Sequence, residues 1–186
     1  MTIDEAVRNT MARFPFEGYM TPGEGVKGAY TNIAETALRH LKPGSTILDF
    51  GCGPCEKTAI LQSLGFGCSG YDDLQDEWHK IPGNRDKILA FAKESGVDLR
   101  LASDGPLPFE KESFDMIMLH DVLEHLHDSP RDLLNDLLEL AKPGGLLFLT
   151  IPNAVNIRKR VNVVFGQTNL PAFEGYYWYP GSWRGH

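Results

Sequence analysis

From residue 31 to residue 153 the sequence alternates between amphipathic helical stretches and short runs of mostly apolar residues. Five runs have the length and composition of strands: TILDF, GCSGYD, VDLRLA, FDMIMLH and GLLFLTI. Most of them are preceded by a stretch with apolar residues at helical spacing: TNIAETALRHL, EKTAILQSLG, DKILAFAKES and SPRDLLNDLLELAKPGG. This alternation predicts an α/β fold, a doubly wound, Rossmann-like and mostly parallel sheet with helices on both faces. Ligands then bind at the carboxyl ends of the strands, near the point where strand order reverses.

The turn after the first run, residues 51–55, has two interpretations. Its last four residues read CGPC, which is the spacing of a thiol redox motif in which a helix N-terminus lowers the pKa of the first thiol. The same turn contains Gly51 and Gly53 between a strand and a helix. Glycines there let the main chain turn tightly and approach a nucleotide closely.

Two acidic residues favour the nucleotide loop. Asp49 lies inside an otherwise apolar strand, where a carboxyl is costly without a partner. Asp72 ends the next strand, about twenty residues on, where an acid hydrogen-bonds the ribose in nucleotide-binding βαβ units. A thioredoxin-type site leaves both acids unexplained, and it usually has an aromatic residue where this chain has Gly51.

Four segments, in this order, resemble the class I S-adenosylmethionine-dependent methyltransferases: ILDFGCG, GYDD, SDGPLPF…SFDMIMLHDVLEHL and LAKPGGLLFLTIPN. The likeness is nearest to the type-11 group that includes UbiG-like enzymes, and it implies that fold and S-adenosyl-L-methionine as cofactor. It places Asp49, Gly51 and Gly53 along the cofactor's methionine end and Asp72 at the ribose. It places Ser103 and Asp104 beside the adenine and His120 under the sulfonium. Cys52 and Asp73, in the same two motifs, are further candidate cofactor-binding residues. The third glycine of the family loop is replaced by Cys55, which we expect to crowd the loop.

The stretch HDVLEHLHD follows the fourth predicted strand, where methyl donor and acceptor should meet. His120 and Asp121 are the candidate catalytic residues, since an acceptor hydroxyl or ammonium must lose a proton. No metal is expected to be required. Nevertheless, the D-x-x-E-H spacing resembles half of a divalent-metal site in some methyltransferases. The candidate metal ligands are therefore Asp121, Glu124, His125 and His186.

We expect a single domain with three segments. Residues 1–30 are predicted to form a lid, to which Tyr19 and Tyr30 contribute. Residues 31–153 are predicted to form the cofactor-binding core, and residues 154–186 a helix and an aromatic loop. The tail resembles that of methyltransferases of sugars or surface polysaccharides. Family members usually add a C-terminal hairpin of two strands that is not recognisable in this sequence. We therefore expect either that the chain is a truncated form or that a partner, such as a second copy, covers the bare edge of the fifth strand.

Composition limits the classes of function. The net charge of −7 does not favour nucleic acid as a partner. The three cysteines form no disulfide framework, and no signal peptide or membrane span is recognisable, so a cytoplasmic protein is expected. The leading hypothesis is a methyltransferase acting on a small molecule or sugar. The alternatives are a non-catalytic S-adenosylmethionine-binding or assembly module and a CGPC thiol redox protein.

Overall fold

A computed structural model describes residues 1–17, 19, 24–103, 105–126, 128–153 and 157–166. The helices and strands are α1 (Ile3–Arg13), α2 (Glu24–His40), β1 (Thr46–Phe50), α3 (Glu56–Ser63), β2 (Gly67–Asp72), α4 (Asn84–Ser95), β3 (Asp98–Leu101), β4 (Phe114–His120), α5 (Arg131–Leu140), β5 (Ala141–Thr150) and α6 (Ile157–Val164). A short 3-10 helix, Leu123–His125, follows β4. The predicted strands at residues 46–50 and 67–72 match β1 and β2.

The five strands form one parallel sheet in the order β3-β2-β1-β4-β5. After β1 the chain builds outward through β2 and β3, and it then returns to place β4 on the other side of β1. Strand order therefore reverses between β1 and β4, and the carboxyl ends of these strands diverge around a crevice. The predicted doubly wound α/β fold is confirmed.

Alternate residues of the central strands bury opposite faces of the sheet. On one face, Ile47, Met116 and Met118 pack with α1, α2 and α3. On the other face, Leu48 and Ile117 pack with α5. Side chains of successive strand residues point to opposite faces, so strands covered on both sides are apolar almost throughout.

The first 30 residues contribute to the core as well as to the cleft. Helix α1, which the sequence patterns did not indicate, begins with a capping box between Thr2 and Glu5. Its Ala6 and Val7 are fully buried against α2 and α3. The segment expected to be irregular, residues 14–27, is helical from Glu24 onward. The division of the chain into lid, core and tail stays a prediction.

The sheet ends at β5 within the described residues, where β5 pairs with β4 alone. The aromatic part of the predicted tail lies outside those residues. The structure therefore does not test whether further strands follow β5. A second copy covering this edge stays a prediction. In the ranges described above, no helix is long and apolar enough to cross a bilayer.

Candidate cofactor and catalytic site

The turn between β1 and α3 has backbone angles that favour glycine at two positions. Gly51 has a φ of +72°, and a Cβ added there would lie 2.5 Å from Cγ2 of Val122. Gly53 has a φ of +53°, and a Cβ added there would meet no atom within 4 Å. Gly51 therefore allows the segment after β4 to pack closely, whereas Gly53 keeps main chain exposed beside open space.

Asp72, at the end of β2, ties this turn to the neighbouring strand. Its Oδ2 accepts a 2.7 Å hydrogen bond from the Gly53 amide, and its Oδ1 accepts one of 2.7 Å from the Leu74 amide. Burial raises the pKa of this carboxyl, and the two amides act in the opposite direction. A carboxylate oxygen can accept two hydrogen bonds, so both oxygens retain capacity for ligand hydroxyls.

Two adjoining cavities lie at the carboxyl ends of β1, β2 and β4. The first, which we call the Tyr71 cavity, has a volume of about 380 Å³, and its walls include Phe50, Tyr71, Asp72, Asp73, Ala102 and Val122. The second, the His120 cavity, has a volume of about 350 Å³, and its walls include Tyr19, Cys52, Gly53, Glu56, Lys57 and His120. Both are bordered by Gly51, Asp72, Asp76 and Asp121, so they form one cleft.

Asp49 lies beneath the turn and borders neither cavity. It is 1% exposed, and its Oδ2 accepts a 2.6 Å hydrogen bond from the Thr58 hydroxyl. Burial raises the pKa of Asp49 to about 6, against the lowering effect of Thr58. The carboxyl thus joins β1 to α3, whereas the sequence resemblance placed it along the cofactor.

Cys52 and Cys55 are free thiols whose sulfur atoms are 3.5 Å apart. Contact with Cys55 and burial raise the pKa of the Cys52 thiol, which is the reverse of the shift that a redox cysteine needs. Cys55 has a φ of +67° and packs in the core beside Ala59 and Phe91. It borders neither cavity, so the expected crowding does not occur on the cleft side of the loop.

His120, at the end of β4, is 4% exposed and lies in the wall of the His120 cavity. Its Nδ1 is 3.0 Å from the Thr150 hydroxyl, whereas its Nε2 is buried without a hydrogen-bond partner among the described residues. Burial lowers the pKa of this imidazole to about 4, and Lys57 contributes in the same direction. His120 is therefore neutral at pH 7, with one ring nitrogen unpaired.

Asp121 follows in a left-handed conformation, with a φ of +58°. Its amide donates to the Thr150 carbonyl, and its carboxylate is 3.9 Å from the Lys57 ammonium. The side chain is 56% exposed, and it borders both cavities. Positive φ at a non-glycine residue is strained and is common at functional sites.

The remaining predicted cofactor residues divide between the cleft and its surroundings. Asp73 borders the Tyr71 cavity, and its Oδ1 accepts from the Gln75 amide. Ser103 is exposed and borders neither cavity, and Asp104 lies outside the described residues. Ala102 borders the Tyr71 cavity in their place. Ala102 is a small residue after β3 and belongs to no recognisable motif, so its place in the cavity wall could not be predicted from the sequence.

The candidate metal ligands do not form a cluster. Within the described ranges, no group of three or more His, Cys, Asp or Glu side chains is placed to hold a metal ion. Both carboxylate oxygens of Glu124 are buried there without a hydrogen-bond partner. His186 lies outside the described residues, so this hypothesis stays a prediction, to be tested by turnover in excess chelator.

Three side chains at the site were not recognised from the sequence. Glu56 and Lys57, in the first turn of α3, border the His120 cavity, and Thr150, at the end of β5, contacts His120. Opposite charges directly after a glycine turn were a usable signal for the first two. Thr150 gave none, because only the pairing of β4 with β5 brings it to His120.

Comparison with known proteins agrees with this geometry. Residues 25–179 match a family model described as a methyltransferase domain. An uncharacterized methyltransferase of Schizosaccharomyces pombe is 32% identical over 113 residues, covering 58% of this chain and 40% of that protein. The ubiquinone biosynthesis O-methyltransferase of Xanthomonas campestris is 32% identical over 118 residues, covering 63% of this chain and 47% of that protein. The chain therefore spans less than half the length of these curated relatives.

A solved structure resembles the fold. Coclaurine N-methyltransferase bound to N-methylheliamine and SAH superimposes with a TM-score of 0.52 at 18% identity, covering 80% of this chain and 51% of that one. At this identity the likeness concerns the fold alone. The family model, in contrast, matches most of the chain. The chain therefore belongs to the methyltransferase domain family, as its resemblance to the class I S-adenosylmethionine-dependent methyltransferases predicts.

Proposed function

We propose that the chain is an S-adenosylmethionine-dependent methyltransferase that acts on a small molecule or a sugar. The observation that carries this proposal is the continuous cleft at the switch point between β1 and β4, with Asp72 at its centre. A nucleoside with an amino-acid tail needs two joined compartments, and the Tyr71 and His120 cavities meet at Gly51 and Asp72. Family membership supports the same cofactor.

The cleft residues suit the parts of this cofactor. In the Tyr71 cavity, the ring of Tyr71 and Ala102 offer an apolar wall to the adenine, and the Asp72 carboxylate retains acceptor capacity for the ribose hydroxyls. Gly53 leaves room for the chain beyond the ribose, because a Cβ there would project into open space. In the His120 cavity, the Nε2 atom of His120 has no hydrogen-bond partner among the described residues and is free to bond to a ligand.

When bound, S-adenosylmethionine supplies a methyl group on a sulfonium for in-line displacement. The protein's part is to position the acceptor, exclude water and take up the acceptor's proton. The neutral His120 can accept a hydrogen bond at Nε2, and its low pKa makes it a positioning group more than a strong base. The exposed Asp121 carboxylate beside Lys57 is the second candidate to receive the proton.

A neighbouring cavity is our candidate site for the acceptor. It has a volume of about 610 Å³, shares Tyr19 and Trp78 with the His120 cavity, and is also bordered by Phe16 and Lys87. The rings of Phe16 and Tyr19 both contact Trp78. Aromatic walls with a few polar groups suit a sugar or a planar small molecule.

Binding and turnover test the proposal separately. Isothermal titration calorimetry with S-adenosylmethionine and with S-adenosylhomocysteine should show binding of both, and mass spectrometry of the purified protein should detect retained cofactor. His120→Ala should slow methyl transfer to any acceptor found by a larger factor than it weakens S-adenosylhomocysteine binding. Phe16→Ala should raise the KM for the acceptor alone. Failure of the wild-type protein to bind either nucleoside would refute the proposal.

The alternative of a non-catalytic binding module predicts the same binding but no turnover with any acceptor. The thiol redox alternative is not supported by the geometry of the CGPC turn. Both thiols are buried, and the pKa of Cys52 is raised.

A further inference from the structure

Glu56 is a buried acid for which the function proposed above has no use. It is the first residue of α3, is 3% exposed, and lies in the wall of the His120 cavity. Its Oε1 accepts a long, 3.4 Å hydrogen bond from the Tyr30 hydroxyl. Its Oε2 is buried and has no hydrogen-bond partner among the described residues. An unpaired carboxylate oxygen in such surroundings is costly, and a cationic ligand group would remove that cost.

The other acids in or near this cavity are differently placed, and Asp76, which borders it, is exposed. Both oxygens of Asp72 accept main-chain hydrogen bonds and face the shared centre of the cleft. Asp121 is more than half exposed and lies near the Lys57 ammonium. Asp49 is enclosed beneath the turn with Thr58. Of these carboxyls, Glu56 combines full burial with an open acceptor position in the cavity wall.

We propose that Glu56 receives the α-ammonium group of the cofactor's methionine moiety, with Lys57 facing the carboxylate of the same moiety. The proposal rests on the proposed function, because it concerns a ligand with an amino-acid end. Ammonium and carboxylate are attached to one carbon, so two opposite charges side by side suit them. Glu56 and Lys57 present such a pair in the first turn of α3, and both border the cavity.

The surroundings of the pair strengthen this assignment. The first turn of a helix has amide groups without intrahelical partners, which favours a carboxylate beside Lys57. Burial raises the pKa of Glu56 to about 7, so the protein's own groups compensate the ionised carboxylate only in part. Burial also raises the pKa of Tyr30, so its hydroxyl stays protonated and donates to the carboxylate. An ammonium group would complete the shell of Glu56.

The experiment compares two ligands that differ only in the amino-acid end. S-adenosylhomocysteine carries the methionine-derived tail, whereas 5′-methylthioadenosine keeps the adenosine and sulfur without it. Calorimetry with Glu56→Gln should show S-adenosylhomocysteine bound about tenfold or more weakly, the effect of losing one charge-assisted hydrogen bond, and methylthioadenosine bound unchanged. Glu94→Gln, on an exposed position of α4, is the matched control and should change neither affinity.

A second variant keeps the test valid if Glu56→Gln folds poorly. Lys57 has a side chain that is 23% exposed, so Lys57→Gln is easily accommodated, and it should also weaken S-adenosylhomocysteine selectively. Equal weakening of both ligands, or no weakening of S-adenosylhomocysteine in either variant, would overturn the proposal. Failure of the wild-type protein to bind either ligand would instead identify the proposed function as the error.

Discussion

Replacing Asp72 by alanine should weaken cofactor binding and loosen the turn that forms the cleft. Asp72 accepts hydrogen bonds from the amides of Gly53 and Leu74, each of 2.7 Å, and retains capacity for ribose hydroxyls. A hydrogen bond to a charged group contributes roughly 1.5–3 kcal/mol, so losing one to the ribose should reduce affinity by a factor of about 10 to 150. The two amides lose their acceptor as well, although water can replace part of it, and the free energy of unfolding should fall by about 1–3 kcal/mol.

Two measurements separate these effects. Urea unfolding of the ligand-free protein reports the loss of the amide bonds, and calorimetry with S-adenosylhomocysteine reports the loss in binding. Asp72→Asn keeps one acceptor oxygen and should fall between wild type and Asp72→Ala in both. Asp136→Ala, an exposed aspartate on α5, is the control and should change neither.

A ligand change isolates the ribose contact. The 2′-deoxy analogue of S-adenosylhomocysteine should bind wild type more weakly than the parent compound does, because one hydroxyl is missing. In Asp72→Ala the two ligands should bind almost equally, because the acceptor of that hydroxyl is gone. If the missing hydroxyl costs the same in both proteins, or if a folded Asp72→Ala binds with unchanged affinity, the assignment of Asp72 to the ribose is wrong.

Three further predictions concern the buried acid, Cys55 and the sheet edge. The pKa of Glu56 is raised from 4.5 to about 7, with Lys57, Asp49 and Tyr30 facing the carboxyl. The folded state therefore keeps a proton that the unfolded state releases, and wild type should lose about 3 kcal/mol of unfolding free energy relative to Glu56→Gln as the pH rises from 4.5 to above 7. Urea unfolding of both proteins across this pH range checks the direction of the change. Equal dependence of the unfolding free energy on pH in wild type and Glu56→Gln would contradict the prediction. Replacing Cys55, which borders neither cavity, by alanine should leave S-adenosylhomocysteine affinity largely unchanged in calorimetry, and a large loss would show that this position matters for cofactor binding. Light scattering of this chain should give a mass above that of the monomer if a second copy covers β5, and a stable monomer would contradict that expectation.

Local patterns predicted most of the core. The runs at residues 46–50 and 67–72 are buried on both faces. Such strands can be recognised in a sequence as apolar stretches between turn residues. The resemblance carried by the motifs along the chain identified the family correctly. Helix α1 was missed although Thr2 and Glu5 have the spacing of a capping box, which is a local signal that was available. Helix α2 begins at Glu24, inside a segment whose glycines suggested irregular structure.

The sequence by itself determined the alternation of strands and helices, the glycine turn after β1 and the acid at the end of β2, because each depends on residues close together in the chain. Tertiary packing alone decided which groups lose solvent and which meet across the sheet. It enclosed Asp49 with Thr58 and buried Glu56 beneath Tyr30. It also brought Thr150 to His120 across paired strands. Burial and long-range contact depend on how the elements pack, which no local pattern encodes.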